Sequence, residues 1–143
     1  MKKLILVLTV ALFLIGLTAC GGGKYADVKD VMQKFVDAQD KFSAACENIS
    51  SADDAVKALN ALAADITAIA PKMKEMGEKY PELQKKDDPP EELKPLMEKL
   101  QAASMKMATS MQKIGAYQQD PKVQEAQMKL FGAMAAMGPK KGE

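Results

Sequence analysis

The apolar residues of this chain recur with the period of an α-helix from residue 25 onward. In the first such stretch the intervals alternate between four and three residues, which places every member on one side of a helix. Its members are Val28, Met32, Phe35, Gln39, Phe42, Cys46 and Ile49, of which only Gln39 is polar. No stretch of the chain alternates every second residue, as a half-buried strand would. The spacing therefore predicts an all-α fold.

Three further stretches carry stripes of the same period. The second stripe is the most regular and consists of Leu59, Leu62, Ile66, Ile69, Met73, Met76 and Tyr80. The third consists of Leu93, Leu96 or Met97, Leu100, Met107, Met111 and Ile114. The fourth consists of Val123, Ala126 or Gln127, Leu130, Met134 and Met137. Pro71 lies inside the second stripe, where we expect a kink because proline removes one backbone hydrogen bond.

Capping residues mark the ends of these stretches. Ser51 followed by Asp54 resembles a capping box, and the dipeptides at 88–89 and 120–121 each place Asp before Pro, which suits an N-cap and a first helical position. The Gly-Pro pair at 138–139 stops the last helix. With short connections and one longer loop, residues 25–138 predict an up-down-up-down four-helix bundle, followed by a tail at 139–143.

The absence of two residue types limits the chemistry. All 20 basic residues are Lys and there is no His, so the chain has no Ser-His or Cys-His pair and no His-ligated metal. No nucleophile has a recognisable base, and we predict that the chain is not an enzyme. Its near-neutral charge and small aromatic content argue against nucleic-acid binding.

The N-terminus has the features of a secretory signal. Lys2 and Lys3 precede an apolar run at residues 4–17, which is shorter than the roughly 20 residues that a membrane-spanning helix needs. The run ends in Leu17-Thr18-Ala19-Cys20 followed by three Gly, which resembles the lipobox of bacterial lipoprotein precursors. That resemblance implies removal of residues 1–19, lipidation of the Cys20 thiol and a Gly-rich tether at residues 20–24. Gly after the cysteine implies outer-membrane delivery, facing the periplasm, if the source is Gram-negative.

Lipidation of Cys20 leaves Cys46 as the second cysteine, on the apolar stripe of the first helix. We predict a buried small hydrophobic residue there, the alternatives being an intermolecular disulfide or a reactive thiol.

Several short segments resemble the cytochrome b562 family of four-helix bundles. They are residues 26–32, 54–59, 81–90 and 122–127. The resemblance implies that Met32 stands where that family binds heme iron on its first helix. The family's second ligand, a His late in the fourth helix, has no counterpart in residues 138–143. Heme would therefore need two Met ligands, Met32 with Met134 or Met137, or an open coordination position.

The chain contains 11 Met, and soft thioethers can bind Cu(I). Met105 and Met107 lie about 200° apart on a helix and point to opposite sides, whereas Met107 and Met111 share the face of the apolar stripe, so core packing explains most of the Met better than a copper site. We predict no cofactor or metal site. The predicted function is a membrane-anchored, non-enzymatic envelope module that binds another envelope protein or an apolar ligand or has a structural role. The alternative is a heme- or Cu(I)-binding carrier related to cytochrome b562.

Overall fold

A computed structural model describes residues 23–85 and 89–137, and all regular secondary structure within these ranges is helical. The predicted all-α class is confirmed for this part of the chain. The elements are α1 (Ala26–Glu47), α2 (Ala52–Lys79), α3 (Pro81–Lys85), a 3-10 turn (Glu91–Leu93), α4 (Lys94–Gly115) and α5 (Pro121–Ala135). None of the described helices is both long enough and apolar enough to cross a membrane.

The predicted caps of α2 and α5 are present. The Ser51 hydroxyl accepts a hydrogen bond from the Asp54 amide at 3.2 Å, and the Asp54 carboxylate in turn accepts from the Ser50 amide at 3.3 Å. These bonds satisfy donors that the first turn of a helix otherwise leaves free. Asp120 caps α5 by accepting from the Lys122 amide at 2.8 Å. Helix α2 continues through Pro71.

The predicted start of the third long helix is wrong. The helix begins at Lys94 rather than at Pro89, and the short 3-10 turn precedes it. Pro89 stands before Pro90, and a residue before proline is disfavoured in the helical region. Pro90 itself is extended, with φ −52° and ψ 138°. Pro95 is tolerated because it occupies the first turn of α4, where its missing amide is not needed.

Three interfaces hold the long helices together: α1 packs against α2, α1 packs against α4, and α2 packs against α5. Lys79 at the end of α2 pairs with Asp27 at the start of α1, so these helices run antiparallel. Lys113, near the end of α4, reaches the carbonyl of Glu47, so α4 runs parallel to α1. Within the described ranges, α4 and α5 form no comparable interface, and the side of the fold between them is an open seam.

Helix α1 is buried on two sides because it lies between α2 and α4. Besides the predicted stripe, Val31 and Ala38 are buried, and so are Val36 and Ser43. Gln39, the polar residue of the stripe, is only 3% exposed and accepts a hydrogen bond from Ser104 of α4 at 3.3 Å. One apolar cluster runs through α1, α2, α4 and α5, and a smaller one lies at the start of α1.

Replacement of Ile66 by Ala should lower the free energy of unfolding by about 2–5 kcal/mol, because its fully buried side chain would leave a cavity in the main cluster. Urea denaturation measures this change. Met105→Ala, at a side chain that is 62% exposed, is the control and should change stability by less than about 0.5 kcal/mol. Equal losses in both variants would contradict the described core.

Candidate functional site

The chain enters the helical domain at a compact end that we call the N-terminal pole, defined by Lys24, Tyr25, Asp27, Lys79 and Tyr80. The Tyr80 hydroxyl lies 3.0 Å from the Lys24 carbonyl and 2.9 Å from an Asp27 carboxylate oxygen, and it donates to these two acceptors. The rings of Tyr25 and Tyr80 meet edge to face with centroids 5.3 Å apart, an arrangement that aromatic quadrupoles favour. The backbone at Lys24 is therefore held against the end of α2.

Local sequence explains why Tyr80 reaches this position. It caps α2, its amide donating to the Met76 carbonyl at 2.9 Å, and Pro81 prevents the same helix from continuing. Its ring joins the smaller apolar cluster with Tyr25, Val28 and Leu93, all of which are buried. Sequence reasoning placed Tyr80 on the stripe of α2 but missed its bond to the entering chain, since that contact joins residues 56 positions apart.

Paired charges surround the N-terminal pole. Lys79 donates a hydrogen bond to Asp27, which holds the pKa of that carboxyl below its ordinary value and raises the pKa of the Lys79 ammonium. The Tyr80 hydroxyl contributes to the lower pKa of Asp27 as a second donor. Three further ion pairs lie around this end: Lys24–Glu82, Lys29–Glu92 and Lys94–Glu91. Each lysine named here faces an acid, so the pole carries balanced charge.

The Met residues considered as heme ligands do not belong to one apolar cluster. Met32 is half-buried and packs against the smaller cluster at the N-terminal pole, whereas Met137 packs against the main cluster. Met134 is 38% exposed and belongs to neither cluster. Met32 therefore shares neither of these two clusters with Met134 or Met137. Cys20, the predicted lipidation site, lies outside the described residues.

The residues considered for copper are also separated. Met107 and Met111 pack against the main cluster, while Met105 is 62% exposed on the surface of α4. Among the described residues, no group of three or more His, Cys, Asp or Glu side chains could hold a metal ion. Cys46 is fully buried, which confirms the predicted small hydrophobic residue, and burial raises the pKa of its thiol. A high pKa and a lack of access both disfavour thiol reactivity.

Helix α5 has a second apolar side that faces solvent. Val123, Ala126 and Leu130 are buried against the rest of the fold. Met128 and Phe131 are 67% and 63% exposed, and together with Met134 they form what we call the outer face of α5. Sequence reasoning assigned only one apolar stripe to this helix and missed Met128 and Phe131. The available signal was the pair Met128 and Phe131, two large apolar residues three positions apart that lie off the buried stripe.

Comparison of the chain with protein-family models, with curated proteins and with solved structures gives no match.

Replacement of Tyr80 by Phe should destabilise the domain by about 1 kcal/mol, because it removes the hydroxyl that bonds to Lys24 and Asp27. Tyr117→Phe is the matched control, because it removes a phenol hydroxyl just after the C-terminal end of α4, away from the N-terminal pole. Thermal unfolding of both variants measures the difference. Indistinguishable midpoints for the two variants would show that the Tyr80 hydroxyl does not hold the entering chain.

Proposed function

We propose that this chain is a bacterial lipoprotein, anchored by lipid on Cys20, whose helical domain is a non-enzymatic binding or structural module of the cell envelope. The observation that carries the proposal is the Leu17-Thr18-Ala19-Cys20 motif behind a short apolar run. Two or more acyl chains, as the lipobox resemblance implies, hold a protein stably on a membrane because each buried CH₂ contributes about 0.8 kcal/mol.

The N-terminal pole supports this proposal because it lies next to the proposed anchor. The described contacts begin at Gly23, whose carbonyl accepts from the Ala26 amide at 3.1 Å, only three residues after Cys20. The three Gly residues between Cys20 and Lys24 span roughly 9–10 Å, so the domain stays close to the headgroups. The bond from Tyr80 to Lys24 limits the tether to the residues before it. The proposed location is the outer membrane, facing the periplasm, in a Gram-negative source.

We also propose that the four long helices belong to the up-down-up-down bundle class. The antiparallel pairing of α1 with α2 and the parallel pairing of α1 with α4 support it. So does the ion pair of Lys122 at the start of α5 with Asp53 at the start of α2, 3.5 Å apart, which fits parallel packing of these two helices. The kinship with cytochrome b562 that we propose concerns this scaffold and not its heme chemistry.

Function through an exposed surface agrees better with the described residues than enclosure of a ligand. One depression, with a volume of about 580 Å³, lies along α4 and is lined by residues that include Met97, Leu100 and Ser104. It is open to solvent, whereas sites for small apolar ligands usually bury most of the ligand. A partner in the envelope would meet an exposed surface of this kind without any rearrangement of the helices.

Lipid should attach to Cys20 and not to Cys46. Metabolic labelling with a fatty acid and intact mass of the mature N-terminus should show a modified Cys20 as the first residue. The variant Cys20→Ser should lose the label and keep residues 1–19. Cys46→Ala is the matched control and should label like the parent chain, because its thiol is buried. An unmodified Cys20, or cleavage at another position, would refute the proposed anchor.

Titration with heme and with Cu(I) tests the alternative function. A chain that begins at residue 20 and carries Cys20→Ser retains every described contact, and it should show no specific heme absorption band and no tight copper binding. The reason is that Met32 packs in a different apolar cluster from Met137, and Met134 packs in neither. A stoichiometric heme spectrum that Met32→Ala abolishes and Met105→Ala leaves intact would restore the carrier hypothesis.

A further inference from the structure

We propose that the outer face of α5 inserts shallowly into the anionic surface of the bilayer, so that the domain lies on its side against the membrane. This inference rests on the proposed lipid anchor, which brings the domain to that surface. It adds a second, non-covalent contact whose residues are Met128, Phe131 and Met134. The arrangement is that of a helix lying in the plane of the interface with its apolar side buried to the depth of the headgroups.

The geometry of α5 suits such a contact. Met128 and Phe131 are neighbours on the helix surface, and with Met134 they occupy an arc of about 120°. The buried residues Val123 and Leu130 lie on the side that packs against α2. Met128 lies about 160° and Phe131 about 100° around the helix from Leu130. Both side chains, 67% and 63% exposed, therefore point away from the core, while Met134 borders the buried side. Insertion needs no unfolding and no movement of α5.

The distribution of charge favours an anionic lipid surface. Residues 121–143 contain four lysines and two glutamates, whereas residues 20–120 contain fourteen lysines and seventeen acidic residues. The segment that carries the outer face of α5 is thus positive in a chain that is otherwise negative. Each basic residue near an anionic leaflet adds about 1 kcal/mol of attraction. Lys129 follows Met128 directly and is 58% exposed, and it pairs with Glu125 at 2.8 Å, so the surplus positive charge of this segment comes from its other lysines.

The size of the patch argues against a second copy of the chain as its occupant. Three side chains with exposures of 67%, 63% and 38% present roughly 300 Å² of accessible surface. A stable protein interface buries about 800 Å² on each partner. A patch of this size is too small for a stable dimer, but it suffices as a supplement to acyl chains that already hold the protein at the bilayer.

The tether allows both contacts at once. Helix α5 has 15 residues and α2 has 28, so α5 covers roughly half the length of α2. Because α5 packs on the side of α2, it stands out from α2 by one helix diameter, about 10 Å. The three-residue tether, which spans roughly 9–10 Å, reaches about the same height. The N-terminal pole can therefore stay above the surface while the outer face of α5 touches it.

The chain contains no Trp, so a single Trp reports the position of α5 without interference. Phe131→Trp is made in the mature lipidated protein and in the lipid-free chain from residue 20 with Cys20→Ser. Each is mixed with vesicles of phosphatidylcholine with phosphatidylglycerol, and emission is recorded with and without brominated lipid. We expect a shift to shorter wavelength and quenching by bromine. Met105→Trp, on equally exposed surface of α4, is the matched control and should show neither.

Substitution of the face itself tests its contribution to binding. The double variant Met128→Ser with Phe131→Ser should weaken binding of the lipid-free chain to anionic vesicles at least about tenfold, since two large apolar side chains no longer insert. Met105→Ser should bind like the parent chain. High salt, or vesicles of phosphatidylcholine alone, should also weaken the parent chain's binding.

Two results would overturn the inference. One is unchanged emission of Phe131→Trp in the lipidated protein on vesicles, where the anchor guarantees proximity. The other is a shift that appears without lipid and grows with protein concentration, which assigns the face to a second copy. The mass of the mature N-terminus tests the anchor separately. An unmodified Cys20 with a shifted Phe131→Trp signal in the lipid-free chain refutes the anchor alone, and a lipidated Cys20 without any shift refutes the inserted face alone.

Discussion

The packing of α1 between α2 and α4 is the contact on which the other helices depend. A helix buried on one side needs a single apolar stripe, but a helix with two partners must bury a wider arc. α1 supplies that arc with Phe42 and Cys46 toward the main cluster and with Val36, Gln39 and Ser43 as additional buried positions. Within the described residues, α4 forms no interface with α5 as large as the one it forms with α1, so the position of α4 is set by α1. Helix α5 is positioned in the same way by α2.

The interface between α1 and α4 differs in character from the others. Ser104 donates to Gln39, Ser110 is buried and donates to the Lys106 carbonyl of its own helix, and the buried Ser43 hydroxyl has no partner among the described residues. Polar groups in a core cost free energy unless they are hydrogen-bonded. They also favour one register over its neighbours, because a shifted helix would leave more of them unpaired. We infer that this pair of helices gives up some stability for a defined alignment.

Sequence alone predicted the elements that local patterns determine. The stripe of α2 and the caps at Ser51 and Asp120 are present as expected, since periodicity and capping act over a few residues. The start of α4 was misplaced because the extended conformation of Pro90 outweighed the capping pattern before it. The neighbours of each helix could not be predicted. An apolar stripe indicates that a helix has a partner, but it does not identify that partner.

In the candidate site, too, the features that depend on local sequence were predicted and those that depend on distant contacts were not. The burial of Cys46 follows from its place on the stripe, and the proposed modification of Cys20 follows from a local motif. The bond from Tyr80 to Lys24 joins distant positions and needed coordinates. The exposure of Phe131 also needed them, since a large apolar residue of an amphipathic helix is ordinarily expected on its buried side.

The open seam between α4 and α5 has a consequence for how the chain can change during evolution. Substitutions at positions that share no contact usually have additive effects on stability. Because α4 is attached mainly through α1 and α5 mainly through α2, changes on the exposed surface of one of these two helices leave the other's attachment intact. Each can acquire a new surface by single substitutions without compensation from the other. A closed bundle, in which every helix has two neighbours, would not offer this independence.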